Sequence, residues 1–239
     1  MRNTTFHNKK ILITAGPTRE AIDPVRFISN HSSGKMAYAI AAELLSQGAE
    51  VFMISGPVSL QLVHPSLHIV KVESASDMYL ACCRYFEQVD IAIFAAAVAD
   101  YRPAKVANTK IKKSDKSIEL RLVKNVDIAC EFGKIKTSHQ LSVGFALETD
   151  NEFENAAAKL SRKKFDMIVL NSMNDSSATF GFDTNKITIL KNDFSKTDYP
   201  LKHKSEVAKD IIHELSTLMA IKELHEVEME TSEYEMMCR

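Results

Sequence analysis

Residues 10–17 read Lys-Ile-Leu-Ile-Thr-Ala-Gly-Pro. The first six form a short apolar run, which predicts a buried strand, and the Gly-Pro pair predicts the loop that ends it. Similar apolar runs recur along the chain, separated by segments with helical spacing. Each crossover between parallel strands lays its helix on the sheet. The sequence therefore predicts an α/β fold, with a Rossmann-like, mostly parallel sheet and helices on both faces.

The predicted elements alternate through most of the chain. The polar, lysine-rich stretch 105–116 predicts a β/loop region inserted into the sheet. We expect a single domain over residues 1–222. The acidic tail at 223–239 is expected to be frayed or disordered, because it lacks an apolar helical face. Strands are expected at 10–15, 50–55, 68–73, 90–96, 118–123, 140–146, 166–171 and 186–191, and helices at 35–45, 74–88, 150–164 and 204–218.

Composition excludes several classes of protein. The chain has 239 residues, of which 45% are hydrophobic, and 30 basic side chains stand against 31 acidic ones. This balance excludes a generally polycationic surface, so no nucleic-acid partner is expected. No apolar run reaches the length of about 18 residues that predicts a membrane span, and no signal-peptide core is present at the N-terminus. The four cysteines lack C-x-x-C spacing, so we expect neither a disulfide scaffold nor a zinc site, and a cytoplasmic location.

The first βα loop is a candidate phosphate site. It is long and polar, and it follows the first strand at the edge where open α/β sheets bind ligands. Ser32, Ser33 and Gly34 then open a helix, whose free N–H groups and dipole suit a phosphate. A serine N-cap with a glycine turn explains the same residues equally well. We assign phosphate binding to Gly16, Thr18, Ser32, Ser33 and Gly34, although neither the dinucleotide fingerprint nor a P-loop is present.

Three further segments each allow two interpretations, one in which the residues bind a ligand and one in which they have only a structural role. Small residues before Asp100 let a planar ring lie against backbone, and Asp100 could reach a ribose hydroxyl or a metal; a packed strand end with a capping Asp100 is favoured by spacing alone. Lys110 in the lysine-rich loop could swing onto polyphosphate, or belong to a solvated hairpin. Lys159 and Lys163 share a helical face, where they also complement the helix dipole.

Taken in order, these motifs resemble the phosphopantothenoylcysteine synthetase family, in its CTP-using bacterial form. The resemblance covers about residues 10–215 and does not include the flavin-dependent decarboxylase that many bacteria fuse to this domain. Ala37, Val126 and Ser172 depart from the family's usual glycine, proline and aspartate, which affects local fit. The matching segments are Ile13–Glu20, Ile22–Met36, Ala96–Tyr101, Lys110–Lys113, Lys124–Asn125, Gly144–Thr149 and Ile168–Asn171.

The resemblance implies a two-step ligation in coenzyme A biosynthesis. The carboxylate of 4′-phosphopantothenate attacks the α-phosphate of CTP, which gives an acyl-cytidylate and pyrophosphate. The amine of cysteine then displaces CMP and forms the amide. Mg²⁺ is the implied cofactor, with Asp100 as a candidate ligand. The resemblance also implies a homodimer in which the inserted region takes part, and a separate decarboxylase is a candidate partner.

Residue roles carry over from the resemblance one position at a time. Asn30 matches the asparagine that binds the acyl-cytidylate, Lys110 matches a mobile lysine tied to the same intermediate, and Arg26 resembles a site arginine, so all three are expected to be catalytic. Nucleotide contacts are implied for Ala96, Ala97, Asp100, Lys110, Asn125, Val126, Asp127, Phe145, Lys159 and Lys163.

Two other functions remain open at this stage. A Rossmann-type NAD(P)-dependent oxidoreductase would share the fold, but the missing G-x-G-x-x-G counts against it. A non-catalytic nucleotide-binding protein would keep the site and lose the chemistry, against which Asn30 and Lys110 argue.

Overall fold

The structure is a computed structural model that describes residues 4–112, 117–148, 150–172 and 182–237. For Ser172 and residues 225–237 the description is limited to the backbone. Lys113 and Thr149, each at the end of a segment matched to the family, lie outside the described residues, as do residues 114–116 of the lysine-rich stretch and 238–239 of the predicted tail.

Fourteen strands and five α-helices are found in the described part of the chain. A short 3-10 helix, Phe86–Gln88, follows the second α-helix. The helices are α1 Lys35–Ser46, α2 Ala75–Cys83, α3 Ile128–Ile135, α4 Glu152–Arg162 and α5 Lys204–Met237. The strands are β1 Lys10–Ala15, β2 Arg19–Ala21, β3 Phe27–Ser29, β4 Glu50–Ser55, β5 Leu67–Lys71, β6 Ile91–Phe94, β7 Tyr101–Pro103, β8 Leu122–Lys124, β9 Leu141–Glu148, β10 Met167–Ser172, β11 Thr184–Asn185, β12 Ile187–Lys191, β13 Lys196–Asp198 and β14 Lys202–His203.

The central sheet has eight strands in the order β13-β12-β10-β9-β6-β1-β4-β5. The six strands from β10 to β5 are parallel, whereas β12 and β13 pair antiparallel at one edge. The chain leaves β1 towards β4 and β5 and then returns to the other side of β1 through β6. This is the doubly wound order, with its switch point between β1 and β6. The predicted Rossmann-like, mostly parallel sheet is confirmed.

Helices cover both faces of the sheet, as predicted. Ile11 and Ile13 of β1 belong to one core with α1 and α5, whereas Leu12 belongs to the opposite core with α2, α3 and α4. Successive side chains of a strand point to opposite faces, so a strand buried on both sides is apolar throughout. This explains why the run at 10–15 lacks the alternation of a half-exposed strand.

Several elements differ from the sequence-based expectation. The helix expected at 74–88 ends at Cys83, although its Ser74–Asp77 capping box is present. Helix α3 and the hairpin β2–β3 within the first βα loop were missed. Both are short, and the burial of α3 depends on tertiary contacts. Helix α5 continues through the segment expected to be a frayed or disordered tail, with helical backbone to Met237. The domain boundary at residue 222 stays a prediction.

Two short strands that flank the predicted inserted region at 105–116 form a separate small sheet. Strands β7 and β8 pair antiparallel, with Tyr101 opposite Lys124, outside the central sheet. Their apolar side chains Tyr101 and Leu122 are exposed. In the described residues, no helix has the length and hydropathy that a membrane span requires.

Candidate active site

The carboxyl ends of β1 and β6 form the centre of the site. The backbone of Pro17 pairs with that of Ala97 just past the two strand ends. The Ala97 amide donates to the carbonyl of Gly16 at 2.9 Å, and the Ala96 amide donates to the Thr14 hydroxyl at 3.2 Å. These bonds hold the loops after β1 and β6 together at the switch point, the place where doubly wound sheets bind ligands.

Gly16 and Thr18 support this cleft from behind and do not line it. Both are buried, and the Thr18 hydroxyl accepts a hydrogen bond from the Ala99 amide at 3.0 Å. Gly16 has φ +84°, and a Cβ added there would lie 2.9 Å from Val58 Cγ1. Their expected role in phosphate binding does not fit this placement. They shape the backbone that carries Ala96 and Ala97 instead.

A first cavity of about 240 Å³ opens between β6, β9 and the helices α3 and α4. It brings together nine of the ten residues expected to contact the nucleotide, although they come from four distant segments of the chain. Those nine are Ala96, Ala97, Asp100, Asn125, Val126, Asp127, Phe145, Lys159 and Lys163. Phe94 and Phe165 contribute to its apolar floor, and Thr14 lines it as well.

Asn125 ties two walls of the first cavity together. Its carboxamide Nδ2 donates to the carbonyl of Ala99 at 2.8 Å, and its Oδ1 accepts from the Arg102 guanidinium at 3.0 Å. Its backbone amide also donates to the carbonyl of Asp100 at 2.8 Å. These bonds on both sides fix the rotamer of Asn125, so its observed contacts hold the two walls of the cavity together.

Four charged side chains line the first cavity, namely Asp100, Asp127, Lys159 and Lys163. Asp127 caps α3, its Oδ1 accepting from the Cys130 amide at 3.1 Å. The same oxygen lies 2.9 Å from Lys163 Nζ, and Lys159 Nζ lies 2.5 Å from Glu148 Oε1. Each cation therefore faces the cavity while held by a carboxylate. An anionic group entering the cavity would meet two preplaced positive charges.

A second cavity of about 490 Å³ adjoins the first and shares Ala96, Ala97 and Phe145 with it. Asn30 lines it and donates from Nδ2 to the carbonyl of Val98 at 3.0 Å. Ser32, Ser33 and Gly34 line it as well, at the start of α1. The three residues thus line the cavity that adjoins the first one, and their expected role in phosphate binding stays a prediction.

The start of α1 has no side-chain cap. Its N-cap residue is Gly34 at φ +74°, and the Ser32 hydroxyl accepts only from the Gly34 amide at 3.3 Å. The serine N-cap, which the sequence left as an equal alternative, is therefore wrong. Among the residues that the structure describes, no side chain caps the first turn of α1, so the positive end of the helix faces the second cavity.

Two lysines add charge to the second cavity. Lys35 Nζ lies 2.5 Å from Asp183 Oδ1, and Lys204 Nζ donates to the carbonyl of Phe182. Burial, together with the positive charge of Lys35, lowers the pKa of Lys204. The sequence analysis missed Lys204 because it opens a helix 169 residues beyond Lys35, with no motif around it.

Arg26 and Lys110, both expected to be catalytic, line neither cavity. The Arg26 guanidinium bonds Asp23 Oδ2 from Nε at 3.0 Å, and a terminal nitrogen donates to the carbonyl of Ile111 at 2.8 Å. Lys110, which directly precedes Ile111 in the same loop, is exposed. The Arg26 guanidinium is engaged with the loop that carries Lys110, and the catalytic role expected for Arg26 stays a prediction.

Comparison with known proteins decides the family. Residues 6–219 match the family model described as DNA/pantothenate metabolism flavoprotein C-terminal domain. The chain belongs to this family. The crystal structure of the C-terminal domain of the coenzyme A biosynthesis bifunctional protein CoaBC superposes with a TM-score of 0.78 at 41% sequence identity, covering 91% of this chain and 98% of that domain.

Curated relatives of the family are longer than this chain. CoaBC of Bacillus subtilis (strain 168) is 44% identical over 213 residues, which are 89% of this chain and 52% of the relative. A protein from an unknown prokaryotic organism, named cysteine/cysteine sulfinic acid decarboxylase, is 47% identical over 214 residues, 90% of this chain and 60% of the relative. The chain thus spans between half and three fifths of these relatives.

The donor groups of this family member suit a cation that arrives on a nucleotide. Within the described ranges, no group of three or more His, Cys, Asp or Glu side chains is placed to hold a metal ion. Asp100 is exposed at the rim of the first cavity and contributes one carboxylate. Mg²⁺ characteristically takes one or two carboxylates plus substrate phosphates and keeps several waters. A single exposed carboxylate is compatible with that mode of binding, and Mg²⁺ with Asp100 as its ligand stays a prediction.

Proposed function

We propose that this chain is a CTP-dependent phosphopantothenate–cysteine ligase of coenzyme A biosynthesis. Membership of the family supports the ligation, since relatives carry names of coenzyme A biosynthesis proteins. The observation that carries the proposal is the wall of Ala96, Ala97 and Phe145 shared by the two cavities. A nucleotide in one cavity and an acid in the other would meet across this wall, as nucleotidyl transfer to a carboxylate requires.

The first half-reaction is the transfer of the cytidylyl group. A carboxylate oxygen of 4′-phosphopantothenate attacks the α-phosphorus of CTP, the bond to the β-phosphate oxygen breaks, and pyrophosphate leaves. Charge collects on the phosphate oxygens, so fixed cations are the catalytic contribution that matters. Lys159 and Lys163 are the candidates, because both face the first cavity. Mg²⁺ on the phosphates, with Asp100 as its ligand, supplies further charge neutralisation when bound.

The second half-reaction forms the amide. The amine nitrogen of cysteine attacks the acyl carbon of the cytidylate, the mixed anhydride bond breaks, CMP leaves and the ammonium loses its proton. Asn30 is suited to this step because Nδ2 anchors the side chain to Val98. Within the described part of the chain no donor is found for its Oδ1, which can then accept from the incoming amine.

We assign the 4′-phosphate of the acid to the second cavity. The uncapped amides of α1 and the ammonium groups of Lys35 and Lys204 converge on that cavity. Asn171 and Asn185 line it too, with Asn185 Nδ2 donating to Asn171 Oδ1 at 3.1 Å. This bond directs the Asn171 carboxamide, whose own Nδ2 is a donor for the amide carbonyl of the substrate.

A homodimer completes the proposal. The hairpins β2–β3 and β7–β8 expose Phe27, Tyr101 and Leu122. We assign these side chains to the contact between two copies, and a separate phosphopantothenoylcysteine decarboxylase remains a candidate consumer of the product. Sedimentation at several concentrations tests the dimer: a monomer at about 100 μM, well above ordinary dimer dissociation constants, contradicts it.

The test of function is pyrophosphate release. Purified chain is supplied with CTP, 4′-phosphopantothenate and Mg²⁺, with and without cysteine, and with ATP in parallel. Sustained release that needs the acid and cysteine and prefers CTP supports the ligase. Equal or better use of ATP keeps the ligase and contradicts the CTP assignment. No release by folded protein that still binds CTP supports a non-catalytic nucleotide-binding protein, and preferential binding of NADPH favours an oxidoreductase.

A further inference from the structure

Asp23 is a buried carboxylate saturated with donors. Its Oδ1 accepts from the amides of Val25 and Arg26, each at 2.9 Å. Its Oδ2 accepts from the Arg26 guanidinium and from the Ile111 amide at 3.1 Å. The Arg26 guanidinium and these amides hold the pKa of Asp23 well below its usual range.

Only part of this arrangement is local. The bonds to Val25 and Arg26 close a turn over four residues, as aspartates in loops commonly do. The bond to Ile111 reaches a residue 88 positions away, and nothing in turn formation requires it. Arg26 repeats that link by donating to the carbonyl of Ile111 at 2.8 Å. Both backbone groups of Ile111 are thereby held by one ion pair.

The same turn also grips the lysine-rich loop upstream of Lys110. The Ala107 amide donates to the carbonyl of Ile22 at 3.0 Å. The loop is therefore attached on both sides of Lys110, three residues before it and one residue after it, while Lys110 itself stays exposed. A lysine side chain is long and flexible, so the position of its backbone limits where its ammonium group can reach.

We propose that Asp23 is a positioning residue for Lys110: with Arg26 it holds residues 107–111 against the turn 22–26 and so sets the origin from which Lys110 reaches the reacting groups. This inference rests on the proposed function, because it needs Lys110 to act in the ligation. It gives Arg26 a role without contact to substrate. It also explains why Asp23 and Arg26, which line neither cavity, accompany the site motifs.

The tether is tested first by amide hydrogen exchange in the full chain. Asp23→Asn keeps the size of the side chain but removes the charge that both Arg26 and the Ile111 amide contact. We expect exchange at residues 107–112 to accelerate about tenfold or more, as local opening becomes easier, with the central strands unchanged. Asp193→Asn is the matched control, since Asp193 closes a similar turn by accepting from the Ser195 amide at 2.8 Å. Unchanged exchange at 107–112 overturns the proposal.

The second test is a double-mutant cycle on turnover. Asp23→Asn alone is expected to lower kcat about threefold to tenfold with little change in the KM for CTP. In a Lys110→Gln background the same change should have almost no further effect, because the group it positions is gone. If Asp23 has a merely structural role, the kcat losses of the two single variants multiply in the double variant. That outcome overturns the proposal that Asp23 acts by positioning Lys110. Arg26→Lys, which keeps a cation beside Asp23 but lacks the fork to Ile111, should give an intermediate loss.

The two tests separate this inference from the proposed function. If the wild-type chain shows no ligation, or Lys110→Gln turns over normally, the proposed role of Lys110 fails whatever the exchange data show. If ligation depends on Lys110 but Asp23→Asn leaves amide exchange at 107–112 unchanged, the positioning role of Asp23 is contradicted and the proposed ligase activity is not.

Discussion

The carboxamide Nδ2 of Asn30 lies 3.0 Å from the carbonyl oxygen of Val98. This bond joins the loop after β1 to the loop after β6, across the switch point of the sheet. It connects residues 68 positions apart and places Asn30 in the second cavity, beside the wall shared with the first. The contact explains why an asparagine is suited here, since only a side chain with both a donor and an acceptor can bond the carbonyl and still receive a substrate N–H.

Asn30→Asp should separate the two half-reactions. The carboxylate cannot donate to Val98 and places a negative charge where the amine of cysteine must approach, while the residues around the first cavity are untouched. We expect CTP-dependent pyrophosphate release to persist and amide formation to fall about 100-fold or more, ~2.7 kcal/mol of barrier. Asn192→Asp, on a distant surface turn, serves as the control. Unimpaired amide synthesis by Asn30→Asp would remove Asn30 from the second step.

Lys110→Gln should slow turnover at least about tenfold, or ~1.4 kcal/mol of barrier. Glutamine keeps most of the length but cannot neutralise developing phosphate charge. Steady-state product formation at saturating CTP measures the effect. Lys105→Gln removes an exposed charge from the same polar stretch and should turn over at the wild-type rate. If both variants behave alike, the loop contributes only a diffuse positive field.

Lys204→Met should weaken binding of the acid selectively. Methionine fills the half-buried space without the charge, so the phosphate of 4′-phosphopantothenate loses a charge-assisted contact of about 1.5–3 kcal/mol. We expect its KM to rise about tenfold or more, with the KM for CTP nearly unchanged. Lys209→Met, on an exposed face of the same helix where Lys209 pairs with Glu206 at 2.8 Å, is the control. An equal rise in the KM for CTP would contradict the assignment of Lys204 to the binding of the acid.

The stability contributed by Asp23 should depend on pH in one direction. Its pKa is depressed in the folded chain, mainly by the hydrogen bonds from Arg26. A group of this kind stabilises fully above its unfolded pKa, about 3.9, and loses that contribution as pH falls through the folded value. Urea unfolding of wild type and Asp23→Asn at neutral pH and near pH 3 measures the effect. The difference in unfolding free energy should shrink at the lower pH, and a constant difference contradicts the charge-based account.

Gly144→Ala should damage both packing and the first cavity. A Cβ at Gly144 would lie 2.0 Å from Phe165 Cε2, and Phe165 forms part of the cavity floor beside Phe94. We expect a loss of about 1–3 kcal/mol in the free energy of unfolding, as for overpacked cores, and weaker CTP binding. Denaturant unfolding and calorimetric titration check the two effects. Unchanged stability would show that the ring moves aside freely.

Much of the fold was predictable because its signals are local. The apolar runs at β1 and β4 match their observed bounds, and the Ser74–Asp77 capping box is formed by residues three positions apart. Antiparallel pairing of β12 was not predictable, since a strand's direction in a sheet depends on the path of the whole chain. The short helix α3 was missed for a similar reason. Asp127 caps it locally, but its apolar residues are buried by the core that also contains Leu12, α2 and α4.

For the candidate site as well, local features were predictable from the sequence and long-range contacts were not. The sequence by itself determined which residue types gather after the parallel strands, because the carboxyl ends of such strands meet at one edge whatever the loops do. Only the tertiary structure decided their tasks: Thr18 supports the backbone of Ala99, Arg26 holds Ile111, and Lys204 joins a cavity that Lys35 also lines. The physical reason is that a strand or a cap depends on neighbours within a few positions, whereas a buried hydrogen bond between residues 81 or 85 positions apart exists only once the sheet has brought its loops together.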